Sequence, residues 1–329
     1  MVRQIQIAEH GGPDVMRLVD VALASPGADE VQIEQKAIGL NFIDTYFRTG
    51  LYPAPSMPFV PGNEGAGIVR SVGANIRDFK PGDRVAYVSS LGAYADARNI
   101  AASALVKVPR KVSFEAAAAM MLKGLTAEYL LFRTFPVKAG HTILVHAAAG
   151  GTGLILCQWA QSLGATVIGT VGSEEKAKLA KQHGCDHVIN YATEDFAKRV
   201  SEITKGAKCD VVYDGVGKST FAGSLDCLKP FGTLASFGNA SGAVEAFNLG
   251  ILASKGSLFV TRPTLFTHIA KPETYRAMAK RLFGAVANGT LVIPARTSFP
   301  LEKAADSHRA LESRGTVGST ILLPASAGG

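Results

Sequence analysis

The sequence predicts an α/β protein built from a doubly wound parallel sheet and a second, β-rich domain. Three observations predict it. A length of 329 residues favours two domains. Beyond about Ser113, short apolar runs rich in β-branched residues alternate with helical patterns, the order that lays parallel strands side by side under covering helices. One of those runs, Ile143-Leu144-Val145-His146, stops in a glycine turn, Ala147-Ala148-Ala149-Gly150-Gly151-Thr152-Gly153, and restarts as an apolar helix at Leu154.

The elements follow in chain order. Arg3–Ile7, Glu30–Glu34 and Gly67–Val72 alternate apolar and polar residues as half-buried strands do. Pro53-Ala54-Pro55 and Lys80-Pro81-Gly82-Asp83 punctuate them as turns. Ser113 caps an alanine-rich helix, and a second helix is expected from about Gly124 to Phe135. The parallel sheet is expected from Thr142–His146, Thr166–Val171, His187–Asn190, Asp210–Tyr213, Thr233–Phe237 and Ser257–Val260. The last strand, Ser319–Leu323, has no evident partner in that sheet and is expected to rejoin the N-terminal domain.

Composition narrows the class. Hydrophobic residues make up 47% of the chain, enough for a large core, and no run is long and apolar enough to span a bilayer. The first residues enter a strand-like alternation with no signal-peptide pattern. Cys157, Cys185, Cys209 and Cys227 are widely spaced with no CxxC pair, as expected of reduced thiols in a cytoplasmic protein. The net charge of +7 has two readings: attraction of a polyanion such as NADP or nucleic acid, or a solvated basic surface. The Lys and Arg residues form no dense cluster, which favours the second.

The strand–glycine turn–helix unit points to a dinucleotide, because glycine lets backbone N–H groups and a helix N-terminus approach a pyrophosphate. Gly150-Gly151-Thr152-Gly153 is not a full GxGxxG, so the segment also reads as a plain tight turn. The end of the second strand, Thr170-Val171-Gly172-Ser173, lacks the Asp or Glu that meets a free ribose hydroxyl. Ser173 can donate a hydrogen bond to a ribose phosphate, Lys176 supplies charge, and Tyr191 after the third strand supplies another donor. NADPH is therefore expected rather than NADH. Glu174 and Glu175 argue the other way, and the preference reverses if Glu174 faces the ribose. Phe237-Gly238-Asn239, with Ser241 beyond, follows another strand and suits the nicotinamide half, although Gly-Asn also makes a plain turn.

These segments resemble the medium-chain dehydrogenase/reductase superfamily over nearly the whole chain, through Gly62-Asn63-Glu64-Gly65-Ala66-Gly67, Lys80-Pro81-Gly82-Asp83-Arg84-Val85 and Ala147–Gly153. Within it the chain resembles the zeta-crystallin-like NADPH:quinone oxidoreductases, through Asn41-Phe42-Ile43-Asp44, the stretch from Tyr46 through Tyr52, Lys123-Gly124-Leu125-Thr126 and Ser236-Phe237-Gly238-Asn239. The resemblance implies a Rossmann NADPH-binding domain at 124–261, between a β-rich, GroES-like catalytic domain at 1–123 and a return to that domain at 262–329. It also implies a homodimer joined through the edge strand near Ser257–Val260.

Zinc alcohol dehydrogenases of the superfamily place a cysteine where this chain has Asn41 and a histidine where it has Asn63. Neither amide is a competent ligand for a catalytic zinc, so a zinc-independent reaction is expected, with Glu64 and Asp44 as polar-network carboxylates. Quinones are already electrophilic, and the protein's task is to hold nicotinamide and acceptor face to face in the cleft between the domains. No residue is assigned as acid, base or nucleophile, and His146 reads as a packed strand-end histidine. The pocket residues implied are Asn41 and Thr126 beside the nicotinamide, with Tyr46 and Tyr52 against the quinone or, equally, packing a Pro-rich loop wall. Arg314 matches a family position close to the cofactor and otherwise reads as a surface arginine.

Two rivals follow from the same sequence. A zinc-free cleft can also deliver hydride to the double bond of an alkenal or enone. A zeta-crystallin-like RNA-binding role is the other rival, but no RNA-recognition motif or dense basic patch appears.

Overall fold

The structure is a computed structural model that describes residues 1–89, 91–293, 295–313 and 316–325. They cluster into two compact units. The first holds Met1–Lys123, Tyr275–Asn288 and Ile293–Gly329, and the second holds Gly124–Thr274 and Gly289–Val292.

The first unit opens with the antiparallel pair β1 (Val2–Ile7) and β2 (Met16–Val21). β3 (Glu30–Leu40) buries every second residue, including Val31 and Ile33, and then sinks wholly into the core from Ala37 to Leu40. α1 (Phe42–Thr49), β4 (Glu64–Val72), β5 (Arg84–Val88), β6 (Ala97–Ala101) and β7 (Leu105–Lys107) follow. β3 is longer than its alternation alone implies, because its buried end pairs with β4 and carries Leu40 up to the start of α1.

α2 (Phe114–Tyr129) starts at Ser113, whose hydroxyl accepts from the Ala116 N–H at 3.1 Å. The sequence reading splits this segment at Gly124. The structure instead has one helix through Gly124, ending in a π-helical turn over Leu130–Thr134. An interior glycine costs only about 1 kcal/mol, and burial of Met120, Met121, Leu125 and Ala127 outweighs it. The boundary between the units falls inside this helix, after Lys123.

The second unit alternates strand and helix: β8 (Thr142–Val145), α3 (Gly151–Ser162), β9 (Thr166–Val171), α4 (Glu174–Gln182), β10 (His187–Asn190), α5 (Phe196–Ile203), β11 (Cys209–Asp214), α6 (Phe221–Asp226), β12 (Leu228–Ser236), α7 (Gly250–Ser254), β13 (Phe259–Thr261) and α8 (Leu265–His268). Among the described residues the strands form one parallel sheet in the order β10-β9-β8-β11-β12-β13. Leu144, Ile168, Ile189, Val212 and Leu234 bring one buried residue from each of five strands into its core. The strand order reverses between β8 and β11, the point at which such sheets bind ligands at the carboxyl edge. β13 begins two residues later than the sequence implies, because Ser257 adopts φ 55, a left-handed conformation that no strand accommodates.

Residues 262–274, placed by the sequence reading with the returning segment, cluster with this unit. Leu265 is buried, and the His268 ring stacks on Tyr129 at 4.4 Å. The chain then forms α9 (Pro272–Ala287), β14 (Ala295–Pro300), α10 (Ala304–Glu312) and β15 (Ser319–Leu323). β15 pairs antiparallel with β3, Thr320 opposite Leu40, so the last strand does rejoin the first unit. Among the described residues no helix is long and apolar enough to cross a membrane.

Candidate cofactor and acceptor sites

In the second unit the candidate residues gather at the carboxyl edge of the sheet. β8 ends at Val145, Ala147 turns through φ 52, and the Gly150 N–H closes the turn on the Ala147 carbonyl at 2.9 Å. A Cβ at Gly153 would lie 2.3 Å from the Ala147 oxygen, so only glycine lets α3 start this close to the strand. Gly150 brings no capping side chain to α3, so the first N–H groups of the helix have no side-chain cap from it. These residues fit a bound pyrophosphate.

His146, beside the turn, is spent on packing. Its Nδ1 lies 2.9 Å from Thr170 Oγ1 and its Nε2 3.0 Å from Ser224 Oγ, and burial pushes its pKa down, with Asp214 opposing. Asp214, at the end of β11, accepts from the Val216 and Gly217 N–H groups and from the Thr220 and Ser224 hydroxyls.

At the end of β9, Ser173 is the N-cap of α4, its Oγ accepting from the Lys176 N–H at 3.3 Å. Accepting leaves the hydroxyl hydrogen free to donate. Tyr191 is half-exposed, and its hydroxyl lies where a Cβ on Gly172 would approach it to 2.7 Å. Gly172, Ser173, Lys176 and Tyr191 thus share one corner of the sheet. The Glu174 carboxylate accepts from the Asn190 amide at 3.0 Å.

After β12, the Phe237 N–H binds the Asp214 carbonyl, and a Cβ on Gly238 would strike the Gly215 oxygen at 2.3 Å. Arg262 donates to the Ser236 carbonyl at 2.7 Å, beside Asn239. Ser241 ties the two loops together, its Oγ donating to the Val216 carbonyl at 2.9 Å and accepting from the Ser219 N–H at 3.0 Å. Thr126 is buried on α2, in this unit.

Asn41, Tyr46 and Tyr52 belong to the first unit. Asn41 caps α1, and its backbone N–H donates to Asp44 Oδ2 at 2.8 Å. The Tyr46 and Tyr52 rings meet edge-on, centroids 5.2 Å apart, and the Tyr52 N–H binds the Tyr46 carbonyl at 3.0 Å. Arg314 lies outside the described residues.

The Asn41 amide donates to Glu64 Oε1 at 2.7 Å. Glu64 is fully buried and also accepts from Lys123 Nζ at 3.0 Å and from the Leu122 N–H at 2.6 Å. Asn63 donates its amide to the Ser89 carbonyl at 3.0 Å. This donor set does not fit zinc. Two positions carry neutral amides, and the carboxylate between them already holds an ammonium that would confront any added cation.

Asp44 lies at one end of a second buried network. Arg48 Nη1 donates to His308 Nδ1 at 2.8 Å, which places the His308 hydrogen on Nε2. That nitrogen donates to the Tyr94 oxygen at 3.1 Å, and the Tyr94 hydroxyl donates to Asp44 Oδ2 at 3.1 Å. Asp44 Oδ1 is buried with no partner among the described residues. Burial raises the Asp44 pKa to about 7 against the pull of Asn41 and Tyr94. Burial, reinforced by Arg48, lowers His308 to about 3.

Sequence reasoning passed over Lys123 as a side chain with a role of its own. The available signal was one charge ending the apolar run Ala116–Leu122. The Arg48–His308 pairing left no signal, because 260 residues separate the partners.

Comparison with known proteins places these features. Residues 27–139 match the alcohol dehydrogenase GroES-like domain, and residues 151–283 match the zinc-binding dehydrogenase domain. The chain is 54% identical to a quinone oxidoreductase of Pseudomonas aeruginosa, over 98% of this chain and 100% of that protein. It is 45% identical to a 2-haloacrylate reductase of a Burkholderia species, over 98% and 99%. The crystal structure of Escherichia coli quinone oxidoreductase complexed with NADPH superposes with a TM-score of 0.96 at 49% identity, covering 98% of this chain and 100% of that one.

Proposed function

The chain belongs to the quinone oxidoreductases of the medium-chain dehydrogenase/reductase superfamily, and from that premise we propose that it reduces small quinones with NADPH, without zinc. The full-length likeness to quinone oxidoreductases, one of them complexed with NADPH, carries the reading.

Bound NADPH would supply the reducing electrons, as a hydride or in single-electron steps. The chain's own residues bind, orient and shield. We assign the cofactor to the second unit: Gly150, Gly151, Thr152 and Gly153 at the pyrophosphate, and Gly172, Ser173, Lys176 and Tyr191 at the ribose phosphate. Phe237, Gly238, Asn239, Ser241 and Thr126 are assigned to the nicotinamide side; Asn41, of the first unit, and Arg314 are assigned to the cofactor on the family resemblance alone. The pairing of Glu174 with Asn190 supports NADPH over NADH, because it gives that carboxylate a hydrogen-bond donor other than a ribose hydroxyl. We assign Asn41, Tyr46, Tyr52 and Thr126 to the acceptor. NADPH consumption with 1,4-benzoquinone and naphthoquinones, with NADH as control, tests the assignment.

A second reading, reduction of activated alkenes such as enones and alkenals, is favoured by the likeness to 2-haloacrylate reductase. Comparing quinones with alkenals under single-turnover conditions separates the two. We further propose a cytoplasmic homodimer, without membrane or nucleic-acid partners. The dimer is supported by β13, which ends the sheet with Phe259 60% exposed. The location is supported by four free, buried cysteines.

A further inference from the structure

We propose that the Lys123 ammonium is a catalytic group, the hydrogen-bond donor and countercharge for the acceptor oxygen that becomes anionic on reduction. The inference rests on the quinone reading above. Lys123 lies near the middle of α2 with its side chain 9% exposed. Its ammonium carries three N–H groups. Two bind the Leu40 carbonyl and Glu64 Oε1, each at 3.0 Å, and the third has no partner among the described residues.

The Glu64 oxygen that holds Lys123 also holds the Asn41 amide at 2.7 Å, so the ammonium and that amide flank a single atom. Asn41 is the residue assigned to the acceptor. A buried Lys–Glu pair is poor stabilising material, since apolar replacements of similar volume are often neutral or better. A chemical role accounts for it. The quinone takes a hydride and its electron pair from the dihydronicotinamide, which is left oxidised, and becomes the hydroquinone monoanion. Lys123 donates to that oxygen, and a proton from water completes the hydroquinone. Of Asn41, Asp44, Asn63, Glu64 and Lys123, only Lys123 brings a positive charge. It supplies within the chain the polarisation that zinc would supply in a metal enzyme.

Lys123→Met alone would strand the Glu64 carboxylate, so the test compares the Glu64→Gln/Lys123→Met double variant with Glu64→Gln. Both are assayed with NADPH on 1,4-benzoquinones graded from chloro- to methoxy-substituted. NADPH affinity is measured in parallel by fluorescence titration. Losing Lys123 is expected to lower kcat by about 10²-fold on methoxyquinones and far less on chloroquinones, whose anions need little help. NADPH Kd should stay within about twofold, and Lys123→Arg should keep part of the rate. Equal losses across the series, or no loss, would overturn the inference. Wild-type protein that binds NADPH but reduces none of the quinones would overturn the quinone reading and this inference with it.

Discussion

The Tyr191 hydroxyl lies directly above Gly172, so close that a methyl group there would come within 2.7 Å of it. Gly172 is absent from the glycines with positive φ, so its backbone tolerates alanine. The cost of Gly172→Ala falls on Tyr191, which must swing away. We expect NADPH affinity to drop by about tenfold, one charge-assisted hydrogen bond, with the melting temperature nearly unchanged. Isothermal titration and a thermal melt of the same sample check both. Unchanged NADPH affinity would remove Tyr191 from the phosphate site.

Lys176, whose backbone N–H is held by Ser173, is the cation assigned to the ribose phosphate. Lys176→Ala is expected to weaken NADPH by about 10- to 100-fold and NADH by less than about twofold. Equal losses for both cofactors would mean that Lys176 does not read the phosphate.

Asp44 and His308 make opposite contributions to stability with pH. Asp44 is raised from 3.8 to about 7, so its contribution is complete below 3.8 and fades as pH rises through 7. His308 is lowered from 6.5 to about 3, so the unfolded chain takes up a proton first and stability falls as pH drops from 6.5 towards 3. Relative to wild type, His308→Gln should therefore gain stability as pH falls from 6.5 to 4, and Asp44→Asn should lose it. Each divergence is on the order of 2–4 kcal/mol. Urea unfolding midpoints across that range measure it, and parallel curves for all three proteins would contradict the assignment.

β13 bears an exposed Phe259 at the end of the parallel sheet. If this edge joins two copies, Phe259→Asp should shift sedimentation from dimer towards monomer while leaving the NADPH Kd within about twofold. A dimer that persists unchanged at micromolar concentration would place the contact elsewhere.

The parallel sheet was legible because each strand is a short β-branched run between turn signals, and β9 and β10 fall on the residues read from sequence. α2 was not, because burial of Met120, Met121 and Leu125 carries the helix across a glycine that local propensity reads as a break. The glycine turn and the Ser173 corner could be found from residue type and spacing. The hold of Glu64 on Lys123 and Asn41 could not, because it brings together residues from β4, α2 and the cap of α1 that only tertiary packing makes neighbours. The same holds for Arg48, His308 and Tyr94, whose chemistry is visible in the sequence but whose adjacency is not.

The most direct test of the account is the initial rate of NADPH oxidation by the purified protein with 1,4-benzoquinone and 1,4-naphthoquinone, beside NADH at equal concentration, before and after dialysis against a zinc chelator. Turnover of both quinones is expected, with a kcat/KM at least about tenfold higher with NADPH and no change on chelation. Tight NADPH binding with no oxidation by either quinone, or activity that chelator abolishes and zinc restores, would contradict it.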